Sequence, residues 1–210
     1  KVKTLANQLL KRDDATDEDR SFTRYQMLEA VIAQGRDWSD IVHAGNTLVN
    51  EKGATASHVI NGCTSIGQIA NSKKNYKQAS QWFGKARQIL IANDLWGSAI
   101  VLYRDLSSSL WLLGQHKQAS QIILEGLEGM DKAGRSLTFY FANPYLSRLT
   151  GFSSDSNQIL RAQALTLSLV SRTGDVQDIA KTFDLVKKQN TRSAPNISTA
   201  TKQFYIECLD

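Results

Sequence analysis

Three histidines, two cysteines and scattered carboxylates are the side chains in this 210-residue sequence that could do chemistry. His43, His58 and His116 are nowhere near the i, i+4 spacing that sets two imidazoles on one helix face around a metal ion, and no Cys-x-x-Cys occurs. Cys63 and Cys208 lie 145 residues apart. In an elongated helical stack they would sit several repeats from each other, beyond the roughly 7 Å between Cα atoms that a disulfide spans. The expectation is a buried thiol at Cys63 and a near-terminal one at Cys208, compatible with a reducing compartment. Acid pairs such as Asp17 and Asp19 fall on a charged stretch expected to be exposed, and there is no Gly-rich phosphate loop, nucleophile elbow or His-Glu-x-x-His sequence. These residues predict no catalytic centre, no metal site and no cofactor.

The elements that would carry these residues are helical. Hydrophobic residues make up 41% of the chain and charged residues 21%, which fits a folded domain and excludes a disordered one. Only Pro144 and Pro195 occur, so nothing of that kind interrupts helices over the first 143 residues. No window approaches 18 uncharged apolar residues, which leaves no candidate membrane span. The sequence begins at Lys1 with neither methionine nor an apolar leader. The expectation is a piece of a longer protein, with a cytoplasmic location once any missing targeting segment is set aside.

Apolar residues recur at helical spacing almost throughout, broken by short polar or Gly-containing turns such as Gly35-Arg36-Asp37, Ser72 to Asn75, Gly114-Gln115 and Ala133-Gly134. The spacing predicts helices near 3–11, 18–34, 38–50, 55–72, 76–92, 95–113, 116–132, 135–150, 157–172, 175–189 and 197–208. Pro144 is expected to bend or restart its helix. The helices come in similar pairs. Ile66-Gly67 in one helix precedes an Asn75-Tyr76 turn and then Ala79, Phe83 and Ala86 in the next. About forty residues on, Tyr103, Leu106 and Ser107 precede Gly114-Gln115-His116 and then Ala119, Ile123 and Gly126. About 38 residues before, Tyr25 and Leu28 precede Gly35-Arg36-Asp37-Trp38 and then Ile41, Gly45 and Leu48.

This pattern resembles the tetratricopeptide (TPR) repeat, in which small residues let paired helices approach and an aromatic fills the space between them. The period here, about 38 to 40 residues, is longer than the usual form of that family. The resemblance implies an all-α fold: a right-handed superhelical stack of antiparallel helix pairs, about 10–11 helices, forming one TPR-like domain over 1–210. The clearest repeats are 22–52, 60–92 and 100–132, with degenerate ones over 134–210. Thr173-Gly174-Asp175-Val176 is read as a turn from one pair to the next, which preserves simple alternation. His116 and Trp38 stand where the family packs a turn aromatic, so packing is their expected role, as it is for Trp82 and Trp96.

In that family the first helices of successive pairs line a concave groove that takes peptides or ligands. Carried over residue by residue, this face implies Thr23 and Gln26 in the first clear pair, Asn61, Thr64, Gln68 and Asn71 in the second, and Arg104, Ser108 and Trp111 in the third. Their hydrogen-bonding side chains suit an extended peptide backbone. Chaperone-tail readers of the family carry lysine and asparagine where Thr64 and Gln68 stand, so that partner is not expected. The aromatic run Phe139 to Tyr145 reads as core packing or as a wall at one end of the groove.

Charge adds a second surface. Between Lys52 and Asn93 there are six basic residues and no acidic one, so Lys73, Lys74 and Lys77 are either a solvated face or an outer docking patch for an acidic partner. Asp13, Asp14, Asp17, Glu18 and Asp19 make the opposite cluster. Basic-aromatic interleaving of a nucleic-acid module is missing, and direct nucleic-acid contact is not expected. The resemblance implies a protein- or peptide-binding scaffold, the sensory or regulatory part of a larger signalling protein. The alternative is the effector-binding domain of a transcription regulator of the maltose-activator or quorum-sensing-receptor type. A third reading is a stack that serves oligomerisation alone.

Overall fold

The computed structural model describes residues 2–193, which hold ten α-helices, one short 3-10 turn and, among the described residues, no strand. The helices are α1 Val2–Leu10, α2 Asp17–Ala33, α3 Trp38–Val49, α4 Ala56–Ser72, α5 Tyr76–Ala92, α6 Ala99–Leu112, α7 His116–Lys132, α8 Phe139–Phe152, α9 Ser156–Ser171 and α10 Val176–Ser193. The helix expected at 197–208, with Cys208, lies outside the described residues, as does Pro195. The chain divides between Ser98 and Ala99 into two compact units.

In the first unit α2 packs on α1, α3 and α4, and α4 packs on α5. The acidic cluster near the start is the entry to α2. Asp19 N–H donates to Thr16 Oγ1 at 3.1 Å and Thr16 N–H donates to Asp19 Oδ2 at 3.0 Å, a reciprocal capping box. Asp17, Glu18 and Asp19 fill the first turn, where the helix dipole favours negative charge. The core of this unit joins Val59, Ile60, Cys63, Ile66 and Ala70 of α4 to Ala79, Trp82, Phe83, Ala86 and Leu90 of α5, all buried. A Cβ placed on Gly67 would lie 2.5 Å from Phe83 Cε1, so α4 and α5 meet at a distance only glycine permits. Gly62 gives the same clearance to Leu48 and Leu28, and Gly45 to Ile66 and Trp82.

In the second unit α7 packs on α6, α8 and α9, while α8 packs on α6, α7, α9 and α10. Helix α9 packs on α7, α8 and α10, and the Gly174-Asp175 turn joins it to α10. Gly126 repeats the device of Gly67, because an added Cβ would lie 2.8 Å from the Tyr103 ring. Tyr103 is fully buried, and its hydroxyl donates to Glu125 Oε1 at 2.7 Å. Tyr145, also buried, donates its hydroxyl to the Ile100 carbonyl.

Two helix starts lie four residues later than the periodicity predicts. The helix expected from 95 begins at Ala99, because Trp96–Ser98 form a 3-10 turn with Trp96 Nε1 donating to Asp94 Oδ1 at 2.6 Å. The helix expected from 135 begins at Phe139. Residues 133–138 run as a linker, with Leu137 buried and its N–H bonded to the Leu169 carbonyl at 3.0 Å. Pro144 does not restart the helix, since α8 is continuous through it. Trp38, expected to pack in the core, is half-buried with Lys73 Nζ 5.9 Å from its ring centroid.

Five helices end on one hydrogen-bond pattern, in which a residue with positive φ is followed by an N–H returning five residues. It occurs at Gly35, Lys74, Asp94, Gly114 and Gly134. Lys74 and Asp94 hold φ of 59° and 55° with a Cβ present. That conformation costs an L-residue roughly 1–2 kcal/mol, while glycine loses about 0.5–1 kcal/mol in chain entropy. Lys74→Gly is therefore expected to raise stability by about 0.5–1 kcal/mol, read as a higher urea midpoint. Gly67→Leu and Ala79→Leu should each lower it by roughly 1–3 kcal/mol through overpacking against the neighbouring helix. An unchanged midpoint for both would show that α4 and α5 do not meet as described.

Candidate functional site

Asn61, Thr64, Gln68 and Asn71 recur every three to four residues along α4 and share one face of it, in the first unit. Asn61 and Gln68 are exposed, whereas Thr64 and Asn71 are half-buried. Thr64 Oγ1 donates to the Ile60 carbonyl at 2.8 Å, leaving its lone pairs as an acceptor. The same face continues to His58, one turn earlier. His58 stacks on Tyr25 of α2 with ring centroids 5.8 Å apart and planes 7° apart, and it tilts against the exposed Phe22 at 5.6 Å. Its Nδ1 lies 3.2 Å from Ser21 Oγ. Thr23, expected on the open face, is buried, with Oγ1 donating to the Asp19 carbonyl at 2.7 Å. The face of α2 that meets α4 carries Ser21 and Tyr25 instead. Gln26 is exposed.

In the second unit Arg104, Ser108 and Trp111 share a face of α6, and all three are half-buried. Arg104 Nε donates to Asp105 Oδ1 at 2.7 Å, and this hydrogen-bonded carboxylate holds the guanidinium above its usual range. Ser108 Oγ donates to the Arg104 carbonyl at 2.9 Å. Trp111 stacks on His116 with ring centroids 3.8 Å apart and planes 20° apart, so His116 packs as expected while remaining exposed. The structure adds residues from α8 that the repeat pattern did not indicate. Arg148 Nη1 donates to the Arg104 carbonyl at 3.1 Å. Burial, followed by the nearby Arg104 charge, lowers the Arg148 pKa. The aromatic run divides: Ala142 and Tyr145 enter the core, while Tyr140 stands 77% exposed with its ring edge-on to Phe141 at 5.1 Å.

Lys73, Lys74 and Lys77 are all exposed at the α4–α5 turn. Lys85 lies 4.1 Å from the ring centroid of the buried Trp82. A cleft of about 350 Å³ lies between α2 and α3, lined by apolar Met27, Ala30, Val31 and Ala44 together with Arg36, Asp40 and His43. Among the described residues no group of three or more His, Cys, Asp or Glu side chains could hold a metal ion. No helix among them is long and apolar enough to cross a membrane.

Cys63 is 1% exposed, and burial pushes its thiol up to about 12. It is therefore neutral at pH 8, whereas the thiol of an unfolded chain ionises near 8.5. In a Cys208→Ser background, Cys63 should resist a soluble disulfide reagent at pH 8 and react fully in denaturant. The folded form keeps a proton that the unfolded form loses, so this group's contribution to stability should decline as pH rises from about 9 toward 12. Rapid labelling of the native protein at pH 8 would contradict the burial.

Compared with known proteins, the sequence matches no family model and no curated protein.

Proposed function

We propose that this chain is a helical-repeat scaffold of TPR-like type, a right-handed superhelical stack of helix pairs that binds a protein or an extended peptide on the open faces of its first helices. The observation that carries the reading is the division of α4. One side holds Val59, Ile60, Cys63, Ile66, Gly67 and Ala70 in the core, while Asn61 and Gln68 are exposed on the other. Helix α6 divides likewise, with Leu102, Tyr103, Leu106 and Leu110 buried and Arg104, Ser108 and Trp111 half-buried. Amide, hydroxyl and guanidinium groups match a peptide backbone, which presents a donor and an acceptor at nearly every residue. Trp111 and Arg104 are the residue types that most often dominate such interfaces. The helices that carry them pack closely on their neighbours, α4 at Gly67 and α6 against Gly126 of α7, which favours a face organised before a ligand arrives.

A second reading, the effector domain of a transcription regulator, draws on the cleft between α2 and α3, whose size suits a small ligand. The α4 and α6 faces favour the peptide reading, since they carry the longer series of hydrogen-bonding groups.

The test is selection from a displayed random-peptide library, followed by measurement of the selected peptides. The double variant Arg104→Ala with Trp111→Ala should keep the helical circular-dichroism spectrum and weaken their binding by about 1 kcal/mol or more. Undiminished affinity in the double variant would remove these residues from the binding face, and failure to select any peptide would overturn the reading.

A further inference from the structure

We propose that the cleft between α2 and α3 binds a small zwitterion with an apolar side chain, the chemistry of a free aliphatic amino acid. Its volume of about 350 Å³ lies at the low end for small-molecule sites, which span roughly 300–1,000 Å³. Arg24 Nε pairs with Glu51 Oε2 at 2.8 Å, so the early part of α2 lies beside the end of α3. The two helices therefore run antiparallel, and the lining has an order. Arg36 and Asp40 stand at the turn end, Val31, Met27 and Ala44 come next, and Arg24 and Thr47 close the series. Ala30 and Ala44, small residues on the two helices, leave space that larger side chains would fill.

Charge selects the class of ligand. Arg24 is matched by Glu51, whereas among the described residues Arg36 and Asp40 belong to no ion pair. Arg36 Nε donates to the neutral Gln34 Oε1 at 3.2 Å, and the Asp40 carboxylate accepts no hydrogen bond among the described residues. One cation and one anion thus line the same cleft, four residues apart, without pairing with each other. A zwitterion satisfies both, its carboxylate on the Arg36 guanidinium and its ammonium on Asp40. A singly charged ligand leaves one of them without a partner, and a phosphate dianion meets one guanidinium and a repelling carboxylate. Met27, Ala30, Val31 and Ala44, all half-buried, would cover an aliphatic side chain. Both charged residues are exposed, so each adds modestly, and apolar burial carries most of the affinity. The inference deepens the small-ligand reading of this cleft and needs nothing from the α4 and α6 faces.

The test titrates the full chain with L-leucine and follows the backbone amide resonances of Val31 and Ala44 by NMR. Three analogues serve as further probes. Leucinamide lacks the carboxylate, isocaproate lacks the ammonium, and glycine lacks the apolar side chain. Leucine should give saturable shifts at millimolar concentration. Leucinamide and isocaproate should each bind about threefold more weakly, the scale of one exposed ion pair, and glycine at least about tenfold more weakly. Arg36→Gln should abolish the preference over leucinamide alone, and Asp40→Asn the preference over isocaproate alone. A folding defect would weaken all probes alike and could not produce those separate losses. Ala44→Phe should fill the cleft and remove the Val31 shift while the helical circular-dichroism spectrum is kept. No saturation with leucine, equal or tighter binding of either singly charged analogue, or survival of both preferences in the two charge variants would overturn the site. Loss of the site leaves the peptide-binding reading in place, and a library that yields no peptide overturns that reading without touching this site.

Discussion

The close approach of paired helices at glycine is the constraint from which the rest of this structure follows. At Gly67 the ring of Phe83 occupies the space a Cβ would need, and at Gly126 the ring of Tyr103 does the same in the other unit. Each interior glycine costs a helix about 1 kcal/mol relative to alanine. Helix α4 carries two, Gly62 and Gly67, along with serine, threonine and asparagine, which also favour non-helical states. Its intrinsic propensity is therefore poor. It is a helix because burying Val59, Ile60, Cys63, Ile66 and Ala70 outweighs that deficit, and the burial is possible only at the separation glycine allows. Interaction between helices, not local preference, holds the fold.

Polar groups are placed to respect the same packing. The phenols of Tyr103 and Tyr145 are buried and would be costly without partners, and each finds one, Glu125 and the Ile100 carbonyl. At the end of α7, Arg172 donates to the Asp131 and Arg135 carbonyls at 3.1 Å and pairs with the Asp131 carboxylate at 2.7 Å. A cation at a helix C-terminus is favourable, and this one also ties α7 to the end of α9. Asp178 of α10 accepts from the Phe139 N–H at 3.0 Å, at the first turn of α8. These contacts explain why α8 starts at Phe139 although helical spacing begins four residues earlier.

What could be read from the sequence divides along the same line. Helix positions were legible, because apolar periodicity and Gly or Asn turns are local signals. So were the tight contact of Gly67 with Phe83 and the burial of Ala79, because the spacing of small and aromatic residues repeats. The linker over 133–138 was not, since it depends on Leu137 bonding to α9, far along the chain. The acidic cluster around Asp17 was read as surface charge, although Thr16 followed three residues later by Asp19 already spells a cap. Of the expected face, Asn61 and Gln68 are exposed to solvent, while Thr23 is buried with its hydroxyl bonded to the Asp19 carbonyl. Arg148 could not be foreseen. It lies 44 residues from Arg104, and only the packing of α8 on α6 brings them together.

The kinds of side chain on the proposed faces decide how those faces would divide their work. The α4 face offers neutral amides and a hydroxyl, whose hydrogen bonds contribute a net ~0.5–1.5 kcal/mol each and accept any peptide backbone. On the peptide-binding proposal, such a face would orient a chain without selecting its sequence. In the second unit Arg104 of α6 carries a charge instead, and one charge-assisted bond contributes about 1.5–3 kcal/mol. Charge discriminates most strongly when it is partly desolvated, because the wrong ligand leaves it unpaired. Arg104 and Arg148 are half-buried, and the exposed lysines at the α4–α5 turn are not. On these magnitudes a half-buried arginine such as Arg104, rather than the exposed lysines, is where a proposed partner's identity would be read.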